Sequence, residues 1–170
     1  INEVGIYHYV EKPWDNNELL LIIKNAVERG NLIKELNLKY LDIRKSYIST
    51  IFRLAQASEM FDDDTYNHVL RLGLLSQKLA ELLNYPHDFC ENIKYAAMMH
   101  DVGKIGIPKD ILNKKGKLTE DEFLIVKRHV EFGAKVLENP DNTIIEMAYH
   151  IAKYHHEKWN GKGYQNNLKA

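Results

Sequence analysis

Five histidines and two aspartates of this 170-residue chain stand at element ends or on apolar faces, where each could hold a divalent cation. His100 and Asp101 close the apolar run YAAMMHDVGK. Imidazole and carboxylate both ligate such ions, and a carboxylate can bridge two of them. His129 lies within LIVKRHVEFGAKVL, where Val126, Val130, Gly133 and Val136 imply an inward position. His155 and His156 end a later helical segment, and His68 follows Asp64 by four residues, so those two share a helical face. Taken singly, each reads as well as a capping, core or solvated residue. Taken together they point to a metal centre. His150 precedes His155 by five positions, about 140° around a helix of 3.6 residues per turn, and is expected to stand apart. His8 and His87 read as structural or exposed.

The elements that must position these residues are helices. IYHYVEKPWDNNELL reads as a short alternating strand, a turn at Pro13 and a helix capped by Asp15 or Asn16. Apolar residues then recur every three and four positions, at Leu19, Ile22, Ala26, Ile33, Leu36, Tyr40, Ile43, Tyr47 and Leu54, interrupted by Arg29 and Thr50. That spacing predicts a long amphipathic helix of heptad character, able to pair with a copy of itself or to pack on its own chain. Further helices are predicted from after Asp63 to about Leu83, and from after Pro86 to about Asp101. Thr119 and Glu122 form a capping box for another, to about Glu138. Asn139-Pro140 breaks the chain before a last helix ending near His156. A loop with a short helical piece near Asp110 spans 103–116. Tyr95, Met98 and Met99 read as core.

Composition narrows the function. With 45% apolar residues the chain can bury one sizeable core. A net charge of −1 gives no general field for a nucleic-acid polymer, and no apolar run approaches a membrane span. Cys90 is the single cysteine, so neither a disulfide nor a cysteine-built zinc site is available within one chain. Lys104, Lys109, Lys114, Lys115 and Lys117 crowd one loop region, read as a solvated surface or as an attractor for phosphates.

HDVGK, the lone His129 ahead of Gly133, HHEKWNGKGYQ and the upstream DTYNHV together resemble the HD-GYP family of metal-dependent phosphohydrolases, over about residues 50–170. The resemblance implies an all-α, HD-type helical bundle and a bacterial, cytoplasmic enzyme hydrolysing cyclic di-GMP to linear di-GMP or GMP. It implies two divalent ions, iron or manganese, with a third possible. His68, His100 and Asp101 would hold one ion, with Asp101 reaching to the second. His129 and His155 would serve that second ion, with His156 and Asp64 available to it or to a third. Such ions lower the pKa of a shared water and stabilise the attacking and leaving oxygens. Lys104 would neutralise a phosphoryl oxygen, making Asp101 and Lys104 the catalytic pair. Gly161, Gly163 and Tyr164 would line the substrate at the lip of the site, where Trp159 and Tyr164 either stack on a guanine or pack the loop.

YVEKPWDNNELL also resembles the last strand and helix of a response-regulator receiver domain, with Lys12 as its phosphoryl-reading lysine. The implied division is 1–28 receiver end, 29–55 dimerisation helix and 56–170 HD-GYP domain. Its implied partners are a second copy, the upstream receiver with its histidine kinase, and a GGDEF-type protein. The chain departs from the family pattern at Gln165, where proline is usual, at Asn160, where aspartate is usual, and at Asp64, where glutamate is common. It ends at Ala170, before the family's last aspartate ligand, so residues 1–170 alone are expected to turn over weakly or not at all. The competing reading is a degenerate module that binds metal, nucleotide or a protein without turnover.

Overall fold

The computed structural model describes residues 7–59 and 65–164. Asp15 starts the first helix. Its Oδ1 accepts from the backbone N–H groups of Asn17 at 2.8 Å and Glu18 at 3.0 Å, satisfying donors that a helix start leaves open. Helix α1 then runs Asn16–Ser58. The strand expected ahead of it does not form over residues 7–10. A strand's N–H and C=O groups need a neighbouring strand, and no described segment supplies one. Residues 1–6, which carry the rest of that expected strand, lie outside the described residues, as do Asp64 and Gln165.

The chain divides into two compact units, Ile1–Tyr47 and Ile48–Ala170. In the first, the heptad row of α1 is open to solvent: Ile33, Leu36, Tyr40 and Ile43 are each at least 50% exposed. In the second, the last turns of α1 go inward through Ile51, Ala55 and Ser58. Then follow α2 (Thr65–Leu82), α3 (His87–Ala97), a 3-10 turn (Val102–Gly106), α4 (Lys109–Leu112), α5 (Glu120–Lys127), α6 (His129–Val136) and α7 (Thr143–Tyr154). Helix α3 packs on α2 and α7, and α6 packs on the 3-10 turn and α7. Val69, Met99, Val102, Val130, Ala148 and Ala152 fill the space between them. About 71% of the described residues are helical and no strand occurs among them, so the fold is all-α.

Two helices differ from the spans their periodicity predicts, and both differences shape the site. Helix α3 stops at Ala97 instead of reaching Asp101. From there the backbone tightens to i→i−3 bonds, Met99 to Ala96, His100 to Ala97, Val102 to Met99 and Lys104 to Asp101. The helix expected from 119 to 138 carries the predicted capping box, with Glu122 N–H donating to Thr119 Oγ1 and Thr119 N–H to Glu122 Oε2. It then breaks at Arg128, whose φ of −68° and ψ of −9° separate α5 from α6. His129 is thereby the first residue of α6 and not a mid-helix one.

Candidate metal centre

Asp101 is the hub. His100 Nε2 lies 3.0 Å from its Oδ2, and Lys104 Nζ lies 2.9 Å from the same oxygen. His129 Nε2 and His155 Nε2 lie 3.2 and 3.4 Å from Oδ1. The tightened turn after Ala97 accounts for part of this. Residues three apart eclipse one another in a 3-10 turn, so Lys104 sits directly over Asp101.

Backbone carbonyls fix the imidazole tautomers. His129 Nδ1 donates to the Val126 carbonyl at 2.7 Å, His100 Nδ1 to Ala97 at 3.2 Å, and His155 Nδ1 to both Ile151 and Ala152 at 3.1 Å. A carbonyl can only accept, so each of these Nδ1 atoms carries the hydrogen and a neutral ring leaves Nε2 as a bare lone pair. Three such lone pairs face the two oxygens of one carboxylate. His129 Nε2 and His155 Nε2 also face each other at 3.3 Å. Asp101 Oδ1 is sealed from solvent and takes no hydrogen bond among the described residues. Converging acceptors around an orphaned buried oxygen make a donor set that a cation satisfies. The residues present therefore fit divalent metal.

Burial pushes the Asp101 carboxyl up; a proton on the facing Nε2 atoms of His100, His129 and His155 would outweigh it and hold the carboxyl far below the usual carboxylate range. A cation takes the place of those protons where Nε2 is bare. His156 is pushed down to about 4 by burial and by the neighbouring His155 and His129, so it is neutral and ligand-ready near pH 7.

Among the described residues the potential ligands form two groups that share Asp101. One comprises Asp101, His129, His155 and His156, the other Glu59, His100 and Asp101, with the ligand atoms of each group within 4.8 Å of one another. His68 stands beside them, its ring 6.1 Å from that of His100, on an exposed position outside both groups. Glu59 escaped sequence reasoning. It is 3% exposed at the end of α1 and meets Lys104 Nζ at 3.5 Å. FRLAQASEM carries no spacing that singles it out, and burial is its only signal. Lys127 was also missed. His150 lines a separate apolar cavity of about 600 Å³ with Ile93, Met147, Ile151 and Tyr154; His155 also borders it.

The loop after α7 folds back over the centre. Gly161 takes φ +73°, in the left-handed region that favours glycine. A Cβ on Gly163 would lie 2.6 Å from Glu157 Cα, so only glycine permits that approach. Tyr164 thereby arrives on His156, ring on ring at 4.1 Å and 15°. Trp159 stays in solvent, 81% exposed.

Comparison with known proteins agrees with this architecture. A family model described as HD domain matches residues 51–170. The chain is 34% identical, over 98% of its length, to a cyclic di-GMP phosphodiesterase of Thermotoga maritima, covering 50% of that protein. It is 38% identical over 83% of its length to 3'3'-cGAMP-specific phosphodiesterase 2 of Vibrio cholerae, covering 27% of it. It is 31% identical over 98% of its length to a cyclic di-GMP phosphodiesterase response regulator of Xanthomonas campestris, covering 47% of it. The chain thus belongs to the HD domain family, and the relatives' names support an HD-GYP-type domain within it. It spans about half the length, or less, of these relatives. Among the described residues no helix is long and apolar enough to cross a membrane.

Proposed function

We propose that this chain is the output domain of a metal-dependent cyclic di-GMP phosphodiesterase, in a response regulator that hydrolyses the cyclic dinucleotide to linear di-GMP or GMP. The observation that carries this reading is the convergence of three bare imidazole nitrogens on the orphaned carboxylate of Asp101. The names of the relatives supply the substrate class.

In this reading His100, Asp101, His129, His155 and His156 would hold two divalent ions, with Asp101 available to both and His68 beside them. When bound, such ions supply Lewis acidity and a more acidic water. The chain's own groups do the rest. The backbone carbonyls of Ala97, Val126, Ile151 and Ala152 fix the imidazoles in the liganding tautomer, at no cost of reorientation during the reaction. Lys104 offsets the negative charge of Asp101 and of an incoming phosphodiester. The loop bearing Gly161, Gly163 and Tyr164 lines one edge of the substrate site.

Two features support the wider context. The heptad row of α1, about four heptads from Leu19 to Tyr47 and exposed at Ile33, Leu36, Tyr40 and Ile43, suits a parallel pair with a second copy. Sedimentation should show a dimer that Leu36→Lys disperses. The EKPW stretch ahead of α1 supports a receiver-domain end, and through it a histidine kinase as the upstream partner.

The test is metal-dependent turnover of cyclic di-GMP by the intact protein, with 3'3'-cGAMP in parallel because one relative bears that name. Asp101→Ala should abolish it. Nucleotide binding without turnover in the metal-loaded protein would instead place it with degenerate modules, as the departures at Asn160 and Gln165 allow.

A further inference from the structure

His156 differs from its three neighbours in how it is held. His100, His129 and His155 each donate through Nδ1 to a backbone carbonyl. The ring nitrogens of His156 make no hydrogen bond among the described residues. Its neighbours are rings: His155 at 4.2 Å, His129 at 5.1 Å edge-on, and Tyr164 stacked at 4.1 Å. An imidazole with no Nδ1 anchor can rotate about χ2, a broad and soft torsion, and so loses its aim.

Tyr164 is itself pinned. Phe123 packs edge-on against it at 6.0 Å, and Lys127 Nζ lies over its ring at 5.2 Å and over that of Phe123 at 4.8 Å. Phe123 and Lys127 are one helical turn apart on α5, so they form a rigid platform. A cation over an aromatic face and offset ring stacking both hold a ring in place. Both need a flat ring, and neither needs the phenolic hydroxyl.

We propose that Tyr164, backed by Lys127 and Phe123, is the positioning residue for His156, replacing with an aromatic clamp the carbonyl anchor that the other three ligands use. The clamp sets the occupancy of the ion that His156 serves. This rests on the metal-centre reading above and adds a function for the tyrosine that lies beyond lining the substrate.

The experiment titrates the chelator-stripped 170-residue chain with Mn²⁺ alone by calorimetry, and with Co²⁺ by its visible spectrum, with folding checked by circular dichroism. Tyr164→Phe keeps the stack and should bind as wild type. Tyr164→Leu should weaken one class of site by about 10–100-fold, the usual cost of losing a ligand's outer partner, and alter the Co²⁺ bands. His156→Ala should lose the same class, and Tyr164→Leu added to His156→Ala should cost nothing further. Lys127→Leu should weaken that class more mildly and serves if the leucine variant fails to fold. Wild-type affinity in Tyr164→Leu and Lys127→Leu, additive losses in the double variant, or a loss in Tyr164→Phe equal to that in Tyr164→Leu would overturn the proposal. Failure of the wild type itself to bind Mn²⁺ or Co²⁺ would strike at the metal-centre reading first, and the clamp would fall with it.

Discussion

His129 and His155 meet nitrogen to nitrogen, Nε2 to Nε2 at 3.3 Å, while each commits its other nitrogen to a carbonyl of the main chain. Two lone pairs at that distance repel unless a cation lies between or beside them. The fold is therefore stabilised by any ion that takes both. Saturating Mn²⁺ at about 100 times its Kd should stabilise the protein by about 2.7 kcal/mol, read as a rise in Tm that chelator reverses. His129→Ala should abolish most of that rise. An equal rise in wild type and variant would mean that the ion binds elsewhere.

Lys104 Nζ holds Asp101 at 2.9 Å and meets Glu59 at 3.5 Å, with both carboxylates largely buried. Removing the ammonium takes a positive charge away from two carboxylates in a poorly solvated space. Lys104→Met should cost about 3 kcal/mol in chelator, at the lower end for a broken buried pair. Mn²⁺ should restore a good part, since the cation neutralises the same oxygens. Urea unfolding with and without metal measures both. A lysine reserved for substrate alone would leave stability unchanged in either condition.

His156 sets a pH dependence in the metal-free protein. Its ordinary value of 6.5 falls to about 4 in the folded chain. Above about pH 6.5 both states hold it neutral and its contribution is complete. As pH falls, the unfolded chain takes up the proton first, so stability is lost progressively down to about pH 4. The thermal midpoint in chelator should therefore fall more steeply for wild type than for His156→Gln between those values. Parallel curves would remove His156 from the account.

Gly103 lies against the start of α6. A Cβ there would meet the His129 carbonyl and the Gly133 nitrogen, and would come within 2.9 Å of Gly133 Cα. The clash is with backbone, which cannot turn aside. Gly103→Ala should destabilise by about 1–3 kcal/mol, the usual cost of overpacking, and should weaken Mn²⁺ binding, because it pushes His129 away from Asp101. Loss of stability with metal affinity intact would show that the two elements move together.

The amino-acid sequence by itself determined the helical character, the capping box at Thr119 and Glu122, the inward position of His129 and the ligand chemistry of His100, Asp101, His155 and His156. Those properties rest on periodicity and side-chain chemistry, which are local. Tertiary structure decided the rest. Whether α3 ends at Ala97 or Asp101 depends on what packs beyond it, and the resulting 3-10 turn is what sets Lys104 over Asp101. The break at Arg128 and the fit of Gly103 against Gly133 exist only once α6 meets that turn. Glu59 and Lys127 carry no motif, since burial beside Asp101 and stacking under Tyr164 arise between segments far apart in the chain. Spacing along a helix says which residues share a face, but which faces meet is fixed by packing, and a metal centre is made where faces meet.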